Sequence, residues 1–295
     1  MKNIIFKGAA TALITPFADG KLDVGAFSSI IAEQLNAGID ALVVCGTTGE
    51  APTMRDTERF SAISLAVNEV NGKIPVIAGA GSNDTSRAKE LCVIAAEAGA
   101  DALLVVCPYY NKTSRLGLVK MYEDVASKTD LPVVVYNVPS RTGMDVDPDT
   151  YAALAQIPAV CAVKEASTDM VKIGRAIARV GDTLAFYSGC DELTVPMMAL
   201  GARGVISVLS NIDPRGVREM CRSAEEGDFF RAGRAQLEFL PLISALFSEV
   251  NPIPVKEAMA LLGKCRREMR APLYPLDEKS RGELKSALCG AGFDL

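Results

Sequence analysis

Histidine is missing from all 295 positions. That removes the commonest general base and the commonest metal ligand, so any chemistry must run on lysine, tyrosine, hydroxyls and carboxylates. The eight cysteines include no Cys-x-x-Cys pair, and Cys45, Cys107 and Cys161 sit in apolar runs, as buried reduced thiols do. A disulfide framework and a metal centre are set aside, and neither a metal nor a cofactor is expected. No apolar span reaches 18 residues, and the N-terminus lacks the charged and apolar regions of a secretory signal. The expected compartment is the cytoplasm, with no membrane partner. The net charge is −5 without a basic patch, which argues against nucleic acid as a partner. Hydrophobic residues make up 49% and charged residues 23%, a balance that suits a packed globular core.

Two kinds of junction recur along the chain. One reads Ala37-Gly38-Ile39-Asp40-Ala41-Leu42-Val43-Val44, and returns as Ala98-Gly99-Ala100-Asp101-Ala102-Leu103-Leu104-Val105 and again at residues 200–207. Glycine ends a helix there and an apolar strand begins. The other places proline before an apolar run, as in Ile74-Pro75-Val76-Ile77-Ala78, Leu131-Pro132-Val133-Val134-Val135 and Ile157-Pro158-Ala159-Val160. With residues 8–14 and 184–188, eight short apolar strands alternate with amphipathic segments. Near-continuous apolar strands alternating with helices mean a parallel sheet. Eight such units fit an α/β fold of the (β/α)8 barrel type better than an open sheet. No Gly-x-Gly-x-x-Gly follows the first strand, and Gly79-Ala80-Gly81 reads as a tight turn.

After Ser207 the strands stop. Helical patterns are expected from Asp213-Pro214 and then over 229–248, 254–262 and 277–288. The barrel strands and first seven helices are assigned to residues 1–228. The ring-closing helix and a helical C-terminal extension are assigned to 229–295. Phe239, Leu240, Leu242, Ile243, Leu246 and Phe247 form an apolar stripe that can pack on the barrel wall or on another subunit.

Catalytic groups of such a barrel gather where strands end. The predicted strands end in Gly46-Thr47-Thr48-Gly49-Glu50, Pro108-Tyr109-Tyr110-Asn111, Tyr136-Asn137-Val138-Pro139-Ser140-Arg141, Lys164-Glu165, Ser188-Gly189 and Ser207. Each has an ordinary reading: a strand-end lysine can reach out to water, a threonine can cap a helix, and an arginine can be a surface charge. Their joint appearance on one rim points instead to imine chemistry. A desolvated lysine loses its proton and attacks a ketone, and the resulting iminium acidifies the neighbouring carbon. A tyrosine linked to a threonine can move protons without histidine. Thr48 and the amides near it can hold the ketone's carboxylate, and Arg141 can hold a second one.

These motifs resemble the pyruvate-dependent class I aldolase and lyase family, which includes the dihydrodipicolinate synthases and the N-acetylneuraminate lyases. Gly46-Thr47-Thr48-Gly49-Glu50 is similar to its carboxylate motif, Tyr136-Asn137-Val138-Pro139 to its tyrosine motif, and Val163-Lys164-Glu165 to its Schiff-base lysine. The resemblance covers essentially the whole chain and is closest to the synthase branch, because Arg141 stands in Tyr136-Asn137-Val138-Pro139-Ser140-Arg141-Thr142-Gly143. It implies Lys164 as the imine-forming residue and Tyr136, Thr47 and Tyr110 as the proton relay. Tyr110 would reach into a neighbouring subunit's site. Thr48 would bind the carboxylate of pyruvate, Arg141 that of L-aspartate 4-semialdehyde, and Gly189 and Ile206 would line the pocket. The product would be 4-hydroxy-tetrahydrodipicolinate, on the route to diaminopimelate and lysine, and the assembly a homotetramer of two tight dimers. A neuraminate or keto-deoxy-sugar-acid lyase would share Lys164 but commonly lacks the arginine. A barrel that only binds a keto acid would have no need of the relay.

One departure stands out. Lysine-inhibited family members use a glutamate and histidines beside an asparagine and a tyrosine. Asn83 and Tyr109 match, but the glutamate position holds Arg87 and the histidine positions hold Asp56 and Arg59. An arginine where a carboxylate meets an ammonium inverts the contact, so insensitivity to lysine is expected.

Overall fold

The structure, a computed structural model, describes residue 2 and residues 4–295. The apolar runs form strands β1 (Gly8–Ala12), β4 (Ala41–Val44), β5 (Val76–Gly79), β6 (Ala102–Val106), β7 (Val133–Asn137), β8 (Val160–Glu165), β9 (Ala185–Ser188) and β10 (Gly204–Ser207), and a small hairpin joins β2 (Phe17–Ala18) to β3 (Lys21–Leu22). The eight long strands are parallel and closed in the order β1-β10-β9-β8-β7-β6-β5-β4. β1 closes the ring by pairing with both β10 and β4. The fold expected from the alternating pattern is therefore present, with a helix after each strand.

Strand periodicity divides the core in two. Inward positions carry small side chains (Ala10, Ala12, Ala41, Ala102, Ala162, Ala185) interleaved with Ile77, Leu104, Val134 and Ile206. Phe6 and Tyr187 stack with ring centroids 4.2 Å apart and fill part of the interior. Outward positions such as Val105, Val135 and Val163 pack under the helices. Helix starts repeat one device. Asp23, Asp84, Asp147, Asp169, Asp213, Asp228 and Asp277 each accept a backbone N–H of the first turn, satisfying donors the helix leaves open.

The C-terminal assignment needs one correction. Helix Pro214–Glu225 packs on β1 and lies between helices Thr194–Ala199 and Val24–Ala37. It therefore takes the eighth place in the ring, and helix Phe229–Leu246 packs outside it. The boundary at 228/229 thus follows eight ring helices rather than seven. An amphipathic pattern marks a helix but not the layer it joins. In the apolar stripe, Leu242, Ile243 and Leu246 are buried, while Phe247 stays exposed.

The extension is fastened to the barrel by a buried ion pair. Lys256, on helix Ile253–Leu261, bonds Glu50 in the loop after β4, and both side chains are fully buried. Lys256 Nζ also lies 4.2 Å from the Phe17 ring centroid, and Glu50 accepts the Arg270 N–H at 2.9 Å. Removing one partner of such a pair strands the other's charge in a dry place. We expect Lys256→Met to lower folding stability by about 3–5 kcal/mol in denaturant unfolding. A loss under about 1 kcal/mol, the size of an exposed pair, would show that the bridge is not dry.

Candidate active site

Lys164 is the penultimate residue of β8, with Tyr136 of β7 and Tyr187 of β9 as its register partners. Its period-2 position turns it into the barrel, where it is 5% exposed. Nζ sits 4.6 Å from the Tyr136 ring centroid and has no carboxylate within ion-pair distance among the described residues. Burial pulls its pKa from the ordinary 10.5 down to about 8; the Asp191 carboxylate opposes that shift and Arg141 adds to it. A substantial share of the amine is therefore neutral near pH 7–8, as a nucleophile toward carbonyls requires.

The next residue holds the strand end in place. Glu165 points outward and is fully buried. It accepts from Asn137 Nδ2 and Ser167 N–H at 2.8 Å each, and from the Tyr151 hydroxyl at 2.6 Å. Gly189 N–H donates to the Glu165 carbonyl at 2.7 Å. A Cβ on Gly189 would lie 3.1 Å from Lys164 Cε and 2.8 Å from Ala166 Cβ, so only glycine leaves the lysine its room.

Tyr136 is buried, and its phenol pKa is pushed up to about 12 by that burial, against the Arg141 charge and the Thr47 hydroxyl bond. It is a neutral acid that can pass its proton to Thr47 and take one back. The loop after β4 is folded by turns in which Gly49 N–H bonds Gly46, and Glu50 N–H bonds Thr47. Among the described residues, the Thr47 and Thr48 amides bond no acceptor, and free amides in such a turn suit a carboxylate. Thr48 is buried, and its Oγ1 accepts from Asn251 Nδ2 at 3.1 Å. Arg141, on the short helix Pro139–Thr142, is exposed and donates to the Asn251 carbonyl at 2.8 Å.

A cavity of about 410 Å³ opens onto Thr47, Tyr136, Val138 and Arg141, and Tyr109, Arg59 and Arg87 also line it. Lys164 is not in that wall but next to one of its members, Tyr136. Most of the expected site is thus assembled in one chain: Lys164 with Tyr136, Thr47 and Gly189, and Thr48 with Arg141 through Asn251. Ile206 is buried on the inward face of β10. Tyr110 stands apart. It is 92% exposed with a left-handed backbone, φ 68°, and no bond among the described residues draws it to Lys164. Asp191, Glu165 and Asn251 were not singled out from the sequence. Only the strand-end position of Glu165 gave any signal.

A closed barrel with a dry lysine at its rim and a tyrosine beside it is an arrangement able to form an imine with a 2-oxo acid, as class I aldolase-type lyases do. The model of the Dihydrodipicolinate synthetase family matches residues 5–291, and the chain belongs to that family. It is 43% identical over 288 residues to the 4-hydroxy-tetrahydrodipicolinate synthase of Nitratidesulfovibrio vulgaris, covering 97% of this chain and 99% of the relative. Among solved structures, the dihydrodipicolinate synthase of Thermotoga maritima superposes with TM-score 0.96 at 40% identity, over 98% of this chain and 99% of that one. The chloride-inhibited dihydrodipicolinate synthase of Acinetobacter baumannii, complexed with pyruvate, gives TM-score 0.95 at 39% identity, over 97% and 99% of the two chains.

The lowered lysine pKa sets a pH dependence. The neutral amine fraction grows as pH rises through about 8. Borohydride trapping of a limiting 2-oxo acid should therefore accelerate across that range and level off above it. A midpoint near the ordinary 10.5 would contradict the desolvation.

Proposed function

We propose that this chain condenses pyruvate with L-aspartate 4-semialdehyde to 4-hydroxy-tetrahydrodipicolinate, in the route to diaminopimelate and lysine. The observation that carries the reading is the dry Lys164 amine beside Tyr136, with Thr48 and Arg141 offering two separate carboxylate positions. The names of the relatives, and the pyruvate in the Acinetobacter structure, agree with it.

The neutral Lys164 amine attacks the C2 carbonyl of pyruvate. Proton transfers through Tyr136 and Thr47 convert the carbinolamine to a protonated imine and release water. The iminium withdraws electrons, C3 loses a proton, and the enamine forms. C3 then attacks the aldehyde carbon, whose oxygen takes up a proton from the relay. Attack of the semialdehyde's amine on the imine carbon closes the ring and frees Lys164. Thr48 and the Thr47 and Thr48 amides hold the pyruvate carboxylate throughout, and Arg141 holds that of the semialdehyde. Gly189 and Ile206 shape the pocket.

Tyr110 completes the relay in a neighbouring subunit, and its exposure in the single chain is what such a role requires. The assembly is a homotetramer of tight dimers. The enzyme works in the cytoplasm; no helix among the described residues is long and apolar enough to cross a membrane. Lysine does not inhibit it. Arg87 pairs with Asp56, and buried Arg59 bonds the Ala51 and Gly79 carbonyls. Two cations thus stand where an ammonium would have to bind.

The test is pyruvate consumption with the semialdehyde against N-acetylmannosamine as acceptor. Turnover with the semialdehyde alone, unchanged by millimolar lysine, is expected. Arg141→Ala should lose roughly 10- to 100-fold in kcat/KM for the semialdehyde, the worth of a charge-assisted hydrogen bond, while pyruvate is still trapped by borohydride. Turnover with the sugar, or an Arg141→Ala enzyme as good as wild type, would overturn the substrate assignment.

A further inference from the structure

Asn251 lies outside the strand-end rim, in the segment between helices Phe229–Leu246 and Ile253–Leu261. It is 8% exposed, and it touches both carboxylate positions. Its Nδ2 donates to Thr48 Oγ1 at 3.1 Å, and its backbone carbonyl accepts from Arg141 Nη2 at 2.8 Å. Its own Oδ1 has no hydrogen-bond partner among the described residues. A buried amide left half satisfied is held there by something other than its own bonding.

The direction of the Thr48 bond matters. A hydroxyl has one proton to give and lone pairs to accept with. With the Asn251 amide donating to Oγ1, the Thr48 proton is left over, and no described residue accepts it. It is thus free for an incoming carboxylate. The same residue's carbonyl fixes one arm of an otherwise exposed guanidinium, leaving the remaining donors for a second carboxylate. Five residues further on, Lys256 is locked to Glu50, two residues beyond Thr48. The clasp fixes the distance between Asn251 and the loop that it orients.

We propose that the Asn251 side chain is a positioning residue for the 2-oxo acid: its amide polarises the Thr48 hydroxyl toward that carboxylate, while the backbone carbonyl at the same position anchors Arg141. This rests on the substrate roles given under Proposed function. It makes the C-terminal extension part of substrate recognition rather than only a support for the barrel.

The experiment compares Asn251→Ala with Asn251→Asp. Both are read by KM for pyruvate and semialdehyde, by kcat, by borohydride trapping against pyruvate concentration, and by thermal unfolding. Alanine removes the donor and should raise the pyruvate KM about tenfold, with kcat changed far less. Aspartate fills the same space but can only accept. It takes the Thr48 proton for itself and adds a negative charge beside two carboxylate positions, so its pyruvate KM should rise further, to roughly 100-fold. A space-filling role gives the opposite order, with aspartate the milder change. Should the aspartate variant not fold, Asn251→Ala in a Thr48→Val background decides. Without the hydroxyl, the second change should add less than about twofold to the pyruvate KM. Full additivity, an aspartate variant better than alanine, or unmoved KM values in both variants would overturn the coupling. A wild type that traps no pyruvate would instead overturn the substrate reading on which it rests.

Discussion

The desolvation of one amine governs the site. Lysine at the end of a parallel strand ordinarily reaches water, and its charge then costs nothing. Here the inward position on β8, the Tyr136 ring at 4.6 Å and the lack, among the described residues, of a carboxylate within ion-pair distance leave burial as the dominant influence on Lys164. The contrast with Lys256 is instructive. That amine is fully buried as well, and burial again lowers its pKa, but Glu50 bonds it directly. One buried lysine is held charged by a partner, and the other has its proton loosened by burial. The difference lies in the partner, not in the burial.

Holding an unpaired amine in a dry place requires its surroundings to be rigid. The Glu165 network with Asn137, Ser167 and Tyr151 pins the strand end from behind. Gly189 keeps the adjoining strand end clear of the side chain. The loop carrying Thr47 and Thr48 is folded by its own turns and tied to the extension through Glu50 and Lys256. Site and scaffold thus meet at the strand ends and in the loop after β4.

The barrel was legible because its junctions repeat: glycine closing a helix or proline opening a strand, each time before four or five apolar residues. The gathering of Lys164, Tyr136, Thr47, Thr48 and Arg141 near one rim was legible because a parallel barrel collects what its strand ends carry. Asn251 and the Glu50–Lys256 pair were not, since they join segments about 200 residues apart in sequence, 203 and 206 by position, and no local pattern announces such a contact. The ring-closing helix was misplaced for a related reason. Pro214–Glu225 and Phe229–Leu246 are both amphipathic, and only packing tells which touches β1. Tyr110 was named only from a resemblance that assigns it to a neighbouring subunit, and in the single chain it stands exposed.

The most direct measurement is peptide mapping after borohydride reduction of the protein with pyruvate. A single reduced adduct on Lys164, none on Lys256, and none at all in Lys164→Arg are the expected results. An adduct on any other lysine, or a fully active enzyme without one, would contradict a mechanism built on the dry, unpaired amine.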